Sequence, residues 1–335
     1  MEKREVIGRR LFLGGATAGL LVPSVHARAD EALRTPLRYQ GWPGRVSFPE
    51  LAQDLGYMGP VRLEWVGNTI SGPQDIQAVI TRDVDFGLAF NGAVLKMIAY
   101  GAPARAVIAA SGATQAESAE LFVLQSSPIS SASGLRGRSV GVNVVGAELE
   151  VSLDHYLQKA GLGNVDDAGI TLVPLPPVAM EGALRMGRID AAFTAPPWGD
   201  MLRTRGGVRS VFSEYDVYGD QIMSTYVMRD TFLQKYPRTA RYFISGTARA
   251  IEWARSAPRQ EVIARAKAIV STRGRGENTS PLDYWKTPGI PTQGGMLTER
   301  SFTVFQDWYV KNGSPELKEI NINKIYDNSF NCYDT

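Results

Sequence analysis

Ile80-Thr81-Arg82-Asp83-Val84-Asp85-Phe86-Gly87-Leu88-Ala89, followed by Phe90-Asn91-Gly92, returns in altered form as Arg185-Met186-Gly187-Arg188-Ile189-Asp190-Ala191-Ala192-Phe193-Thr194, followed by Ala195-Pro196-Pro197-Trp198. Each copy reads as a helix end, a tight turn, an Asp, a short apolar strand, and a loop of small or special residues that opens a new helix. Asp85 and Asp190 stand 105 positions apart, far beyond the period of a solenoid repeat. Two similar α/β units at that distance predict two lobes of similar build. Open α/β sheets bind ligands at the carboxyl ends of their strands, so the loops after the two strands are expected to face each other across a cleft.

Working outward, strands are expected at 36–39, 61–66, 84–89, 104–110 and 121–124, then at 139–142, 170–173, 189–193, 208–212 and 224–228. Helical patterns separate them, with Pro73 placed where its missing N–H costs nothing. From Thr231 to Ser271 the pattern is helical, punctuated by Pro237 and Pro258. Leu297 to Asn312 reads as a last amphipathic helix whose Phe302, Phe305, Trp308 and Tyr309 recur at helical spacing, as a core face does. Alternation of strands and helices argues a parallel or mixed sheet in each lobe. Residues 126–215 read as a self-contained unit between polar connectors. The expected organisation is a discontinuous first lobe, 36–125 plus 216–335, with a second lobe, 126–215, inserted into it. The hinge is expected near Gln125 and near Asp216 to Asp220.

Residues 1–29 read as an export signal. Arg9-Arg10 is followed by a short apolar run to Val22, and Ala27-Arg28-Ala29 offers small residues for cleavage. The run is shorter than the ~20 residues of a membrane span, and the twin arginine fits the Tat export route. The whole chain carries 36 Lys+Arg and 34 Asp+Glu. Lys3, Arg4, Arg9, Arg10 and Arg28 oppose Glu2 and Glu5 in the signal, leaving 31 basic against 32 acidic residues in the remainder. No basic footprint for nucleic acid is left. The single cysteine, Cys332, excludes an internal disulfide. The expectation is an exported, periplasmic monomer.

Residue types for catalysis are sparse. His155 is the only histidine after residue 29, and it falls inside a helical pattern. No Ser-His-Asp or Cys-His set forms around it, no His/Cys cluster has zinc spacing, and no phosphate-cradling Gly-Lys-Ser loop is present. Neither a metal nor a cofactor is expected, and the reading is that the protein is not an enzyme. What the chain offers is loop-to-helix junctions: Ser71-Gly72-Pro73, Asn91-Gly92-Ala93 and Gly146-Ala147-Glu148. Their free N–H groups can cap the helix or hold a polar ligand group. Trp42, Phe90 and Trp198, the last beside Pro196-Pro197, lie in the expected cleft loops. Binding sites pair such apolar walls with a few placed polar groups. The expected ligand is a small organic molecule with an aromatic or apolar body and a polar or acidic group. Ionised Glu148 accepts hydrogen bonds only, so it favours a ligand with N–H donors or excludes a competing anion.

Gly72-Pro73-Gln74, Asp83-Val84-Asp85-Phe86-Gly87, Asn91-Gly92 and Ala102-Pro103, with Gly134-Leu135-Arg136-Gly137, Arg188-Ile189-Asp190-Ala191 and Pro197-Trp198, occur in an order that resembles one family. The chain is similar over nearly all of its length after the signal to periplasmic solute-binding proteins of ABC importers. The branch is that of the alkanesulfonate, taurine and nitrate binders and the thiamine-pyrimidine-precursor-like proteins. The resemblance implies a two-lobed, type II periplasmic-binding-protein fold, capture of a ligand by hinge closure, and a permease in the inner membrane as partner. It also implies a site lined by Trp42, Ser71, Gly72, Asn91, Gly92, Gly146, Ala147, Glu148 and Trp198, to which the reading of the cleft loops adds Phe90 and Pro197. One departure stands out. Sulfonate-type relatives often follow the second-lobe glycine with Ser or Thr, and here Ala147-Glu148 removes a hydroxyl and adds a carboxylate. The resemblance leaves two alternatives beside an importer's binding protein: a ligand-binding component that feeds a sensor, and an enzyme on the same scaffold.

Overall fold

The computed structural model describes residues 33–69 and 71–334. The stretch read as an export signal, twin arginine included, lies outside the described residues. Strand β1 (Leu37–Gly41) runs parallel to β2 (Leu63–Asn68). Between them α1 (Phe48–Asp54) begins in a capping box: the Ser47 hydroxyl accepts from the Glu50 N–H at 3.3 Å, and the Glu50 carboxylate accepts from the Ser47 N–H at 2.9 Å. Helix α2 (Gly72–Thr81) leads to β3 (Phe86–Phe90), and α3 (Asn91–Ala99) to β4 (Ala104–Ala113). The chain then builds β5 (Glu120–Leu124), β6 (Ser139–Val142), α4 (Glu148–Lys159), β7 (Thr171–Pro174), α5 (Pro177–Arg185), β8 (Ala191–Thr194), α6 (Trp198–Arg205) and β9 (Val208–Ser213). It returns through α7 (Glu214–Tyr218) to β10 (Gln221–Arg229) and closes with α8 (Asp230–Lys235), α9 (Pro237–Ser256), α10 (Arg259–Thr272) and α11 (Arg300–Lys311).

Beside the β1–β2 pair, two larger sheets organise the two lobes. In the first, β10 lies antiparallel between β3 and β4, so residues from either side of the inserted stretch share one ladder. Every residue of β10 is buried. The second sheet has the order β7-β6-β8-β5-β9, with β6 parallel to β7 and β8, and β5 antiparallel to β8 and β9. Grouping 121–124 with the first lobe does not match this pairing: Leu121 lies opposite Phe193 of β8 and Phe212 of β9. The chain passes between the sheets over 114–119, upstream of Gln125, whose N–H already bonds the Gly207 carbonyl at 2.9 Å. A four-residue apolar run carries no signal for which of two sheets it joins, and that is why the boundary moves. The stretch read as a second hinge, 216–220, is largely taken up by α7, a five-residue helix with a Ser213–Asp216 capping box.

The repeated segment builds one clamp twice. Asp85 precedes β3; its N–H bonds the Arg38 carbonyl at 2.8 Å while its Oδ2 accepts from the Arg38 N–H at 2.9 Å. Asp190 precedes β8; its N–H bonds the Ser139 carbonyl at 2.9 Å while its Oδ2 accepts from the Ser139 N–H at 2.9 Å. Each Asp thus fastens the start of its strand to the start of an earlier one, β1 or β6, with one bond in each direction. The apolar residues behind the clamps fill the core. Phe86 packs against Tyr39 and Phe243 with ring centroids 5.4 and 4.5 Å away, and Phe193 meets Phe212 edge-on at 5.1 Å. The aromatic stripe of α11 is buried as its spacing predicts. No helix among the described residues is long and apolar enough to cross a membrane.

Candidate ligand-binding cleft

A hollow of about 130 Å³ lies between the two sheets, at the carboxyl ends of β1, β4, β6 and β8. The first lobe contributes Trp42 and Arg45 on the loop after β1, Ser111 near the end of β4, and Ser224 in β10. The second contributes Asn143 after β6 and three residues that each open a helix: Glu148 of α4, Trp198 of α6 and Glu214 of α7. Phe193 and Met180 add apolar wall.

Local sequence fixes these placements. The Ser47–Glu50 capping box ends the first loop, the Arg45 carbonyl accepts from Arg273 Nη2 at 2.9 Å, and the Gly44 N–H bonds Glu277 Oε2 at 2.6 Å. The backbone of the loop is pinned, yet the Arg45 guanidinium forms no hydrogen bond or ion pair among the described residues. At α4 no side chain of Ala147 caps the helix; Glu150 Oε2 accepts from the Gly146 N–H at 2.6 Å instead. That leaves Glu148 to reach across the cleft, where Ser224 Oγ of β10 donates to its Oε2 at 3.1 Å. Glu214 is 1% exposed, and Ser152 Oγ donates to its Oε1 at 2.8 Å. Tyr218 O–H donates to Ser152 Oγ at 3.4 Å, and its oxygen lies 2.8 Å from His155 Nδ1.

Three carboxyls therefore surround one arginine. Burial, and then the charge of Glu148, hold Glu214 well above the usual carboxylate range. Burial also raises Glu148, against the Ser224 hydroxyl and the Arg45 charge. Glu117, whose Oε2 accepts from the Thr287 N–H at 2.8 Å, is pushed up by burial to about 7. Two like-charged acids in one hollow cannot both ionise cheaply, so the charge of Glu148 adds to burial in favouring the protonated form of Glu214. Asn143 Oδ1 and the indole N–H groups of Trp42 and Trp198 are buried there without a partner. Buried polar groups are nearly always bonded, so this cluster of orphans marks a place for another molecule. Among the described residues no group of three or more His, Cys, Asp or Glu side chains is arranged to hold a metal ion.

Of the residues expected to line a site, Trp42, Glu148 and Trp198 border this hollow, and Pro197 borders an adjoining one. The others border neither hollow. Asn91 is fully buried, its amide donating to the Ile222 carbonyl at 2.9 Å and the Ser301 carbonyl at 2.8 Å, which ties α3 to β10 and α11. A Cβ on Gly92 would sit 2.5 Å from the Tyr309 ring, and one on Gly72 would sit 2.9 Å from Ala89 Cα; both glycines serve close packing. Phe90 packs edge-on against Phe305, with centroids 4.6 Å apart. Ser71 caps α2, accepting from the Gln74 N–H at 3.4 Å, while Gly146 and Ala147 form the turn into α4. Arg45, Glu117, Asn143 and Glu214 escape the sequence reading. Arg45 was within reach of it, three positions after Trp42 in the same turn. Glu214 hides at the start of a helix too short to show periodicity.

The fold recurs in solved structures. The periplasmic aliphatic sulphonate binding protein SsuA from Escherichia coli matches with a TM-score of 0.67 at 19% identity, over 88% of this chain and 92% of that one. The periplasmic nitrate-binding protein NrtA from Synechocystis PCC 6803 matches with a TM-score of 0.61 at 13% identity, over 88% and 87%. The desulfurization enzyme DSZB matches with a TM-score of 0.58 at 18% identity, over 89% and 97%. That last likeness overturns the expectation of a non-enzyme: the same architecture carries catalysis, so sparse histidines and a two-lobed fold do not exclude turnover. Among curated proteins nothing matches the chain. A family model described as NMT1/THI5 like matches residues 67–261.

Proposed function

This chain belongs to the NMT1/THI5-like family, and on that premise we propose that it is the solute-binding protein of an ABC-type importer. In this reading it is exported to the periplasm by the twin-arginine route and works as a monomer. Its lobes meet along the crossings at 114–119 and 214–220 and close on a small organic solute, which is delivered to a permease in the inner membrane. The observation that carries the reading is the cleft itself, where orphaned indole and amide groups face one unpaired arginine and three carboxyls between two sheets. The carboxyls also sharpen the ligand. Glu148 and Glu214 suit an amine-type head with N–H donors, Arg45 suits an acidic or acceptor group, and Trp42, Trp198, Phe193 and Met180 suit an apolar body. A bare inorganic anion is disfavoured by the acid pair.

Mass spectrometry of small molecules released from natively purified protein should find a nitrogen-bearing organic solute. Losing one buried polar partner costs about 1–3 kcal/mol, roughly ten- to a hundredfold in affinity. Glu148→Gln and Arg45→Ala should each weaken calorimetric binding of that solute by this order. Full affinity in both variants would refute the reading. The likeness to DSZB supports a second one, in which the Glu148/Glu214 pair moves a proton on a bound molecule. Recovery of the solute unchanged after long incubation favours capture; recovery of a product favours turnover.

A further inference from the structure

A second hollow of about 100 Å³ adjoins the cleft on the side of the first sheet. Leu51, Phe86, Tyr226, Ala254, Val262 and Trp285 make much of its wall apolar or aromatic. It shares a boundary with the cleft: Trp42, Arg45, Leu88, Glu117, Pro196 and Pro288 face both hollows. Trp42 and Arg45 belong to the loop after β1. The indole N–H of the first is unpartnered, and the guanidinium of the second has no polar contact among the described residues. No hydrogen bond from either side chain therefore locks this partition shut.

The second hollow also holds acceptors in want of donors. Asp75 is 1% exposed; its Oδ2 accepts from the Leu88 N–H at 2.9 Å, and its Oδ1 meets no donor. The nearby Thr69 hydroxyl gives its hydrogen to the Ser71 carbonyl at 3.1 Å. Gln40 Oε1 borders the same hollow, buried and unpaired. Burial, the largest cause, pushes Asp75 up to about 7, against the Leu88 N–H bond. A carboxyl and an amide oxygen enclosed by apolar wall are costly unless a donor reaches them.

We propose that the solute is elongated, that its apolar or aromatic body fills this second hollow, and that a hydrogen-bond donor at its far end meets Asp75 and Gln40. The inference rests on the cleft reading, which seats an amine head at Glu148 and Glu214. Together the two hollows specify an arylalkylamine with a hydroxyl or amino group on its ring. The side chains of Trp42 and Arg45 turn aside to admit it.

The test uses the full chain after its signal and three probes, ethylamine, phenethylamine and tyramine, with affinities from NMR titration. Burying a ring should make phenethylamine bind at least tenfold tighter than ethylamine, and the phenol of tyramine should add a further several-fold. Ala266→Phe introduces a ring into the wall of the second hollow from the partly exposed helix α10. It should erase both increments and leave ethylamine binding unchanged, which also shows that the variant is folded. Asp75→Leu should erase only the increment of tyramine. Equal affinity for all three amines, or increments that survive Ala266→Phe, overturns the second hollow and leaves the cleft reading standing. If no amine binds, or if Glu148→Gln leaves ethylamine binding untouched, the cleft reading fails and this proposal with it.

Discussion

Asp85 has 3% of its side chain exposed and faces Arg34, Arg38 and Arg229; Asp190 has 39% exposed and faces Arg138. Both make the same pair of backbone bonds to a neighbouring strand. Their surroundings divide the work differently. Around Asp85, Arg38 approaches both carboxylate oxygens at 3.2 Å, and buried Arg229 reaches Oδ1 at 3.3 Å while donating to the Val79 and Val84 carbonyls at 2.5 and 2.7 Å. Around Asp190 the partners are a serine hydroxyl at 2.8 Å and an exposed arginine at 3.5 Å. In the first lobe the Asp therefore holds a backbone junction and neutralises a buried cation. In the second it holds a junction that water can also serve. One sequence motif thus gives a network in one place and a local cap in the other.

The largest effect expected from this contrast is on the first clamp. Asp85→Ala leaves Arg229 buried with its anion gone, and removal of one partner of a buried pair typically costs about 3–5 kcal/mol. Urea unfolding should show that loss. A cost close to that of Asp190→Ala would erase the contrast. The pH profile should test the first clamp next. Burial raises Asp85, but the hydrogen bonds and charge of Arg38, with Arg34, outweigh it and hold the carboxyl below its ordinary range. A depressed folded pKa gives stability that is complete above the unfolded value of about 3.9 and is lost as pH falls through the folded value. Wild type should lose stability below about pH 4, and the slope there should flatten in Asp85→Ala. An unchanged slope would mean that other carboxyls govern acid unfolding. Asp190→Ala should cost about 1 kcal/mol, because the freed Ser139 groups meet solvent. The smallest effect is expected for Arg138→Ala, an exposed pair at 3.5 Å, at well under 1 kcal/mol. A larger loss there would show that the second clamp is also a network.

The repeat was legible because it is local: turn, Asp and apolar strand follow one another within ten residues, and period and turn chemistry suffice to read them. The alternation of strands and helices was legible for the same reason. The assignment of β5 was not, since Leu121-Phe122-Val123-Leu124 would fit the interior of either sheet. The cleft was legible in part. Trp42, Glu148 and Trp198 sit where strand ends meet helix starts, which a sequence shows. Asn91 sits at such a junction too, but both N–H groups of its amide are taken by carbonyls 131 and 210 positions away, while its Oδ1 stays buried without a partner, a fact of tertiary packing alone. Glu117 and Glu214 were missed because nothing in their neighbours sets them apart; the crossing of the chain between sheets brings them to the cleft.

The segment from Glu277 to Gly289 gives the cleft a third tie besides its two chain crossings. Glu277 holds the Gly44 N–H, the Thr287 N–H holds Glu117, and Lys286 pairs with Asp200 of α6, while the turn Ser280–Tyr284 packs on that helix. Any separation of the two sheets must draw Lys286 away from Asp200 before the walls can part. That step has a clock of its own. The residence time of whatever lies inside is then expected to depend on an ion pair that lines neither hollow, and added salt, by weakening that partly exposed pair, should shorten it.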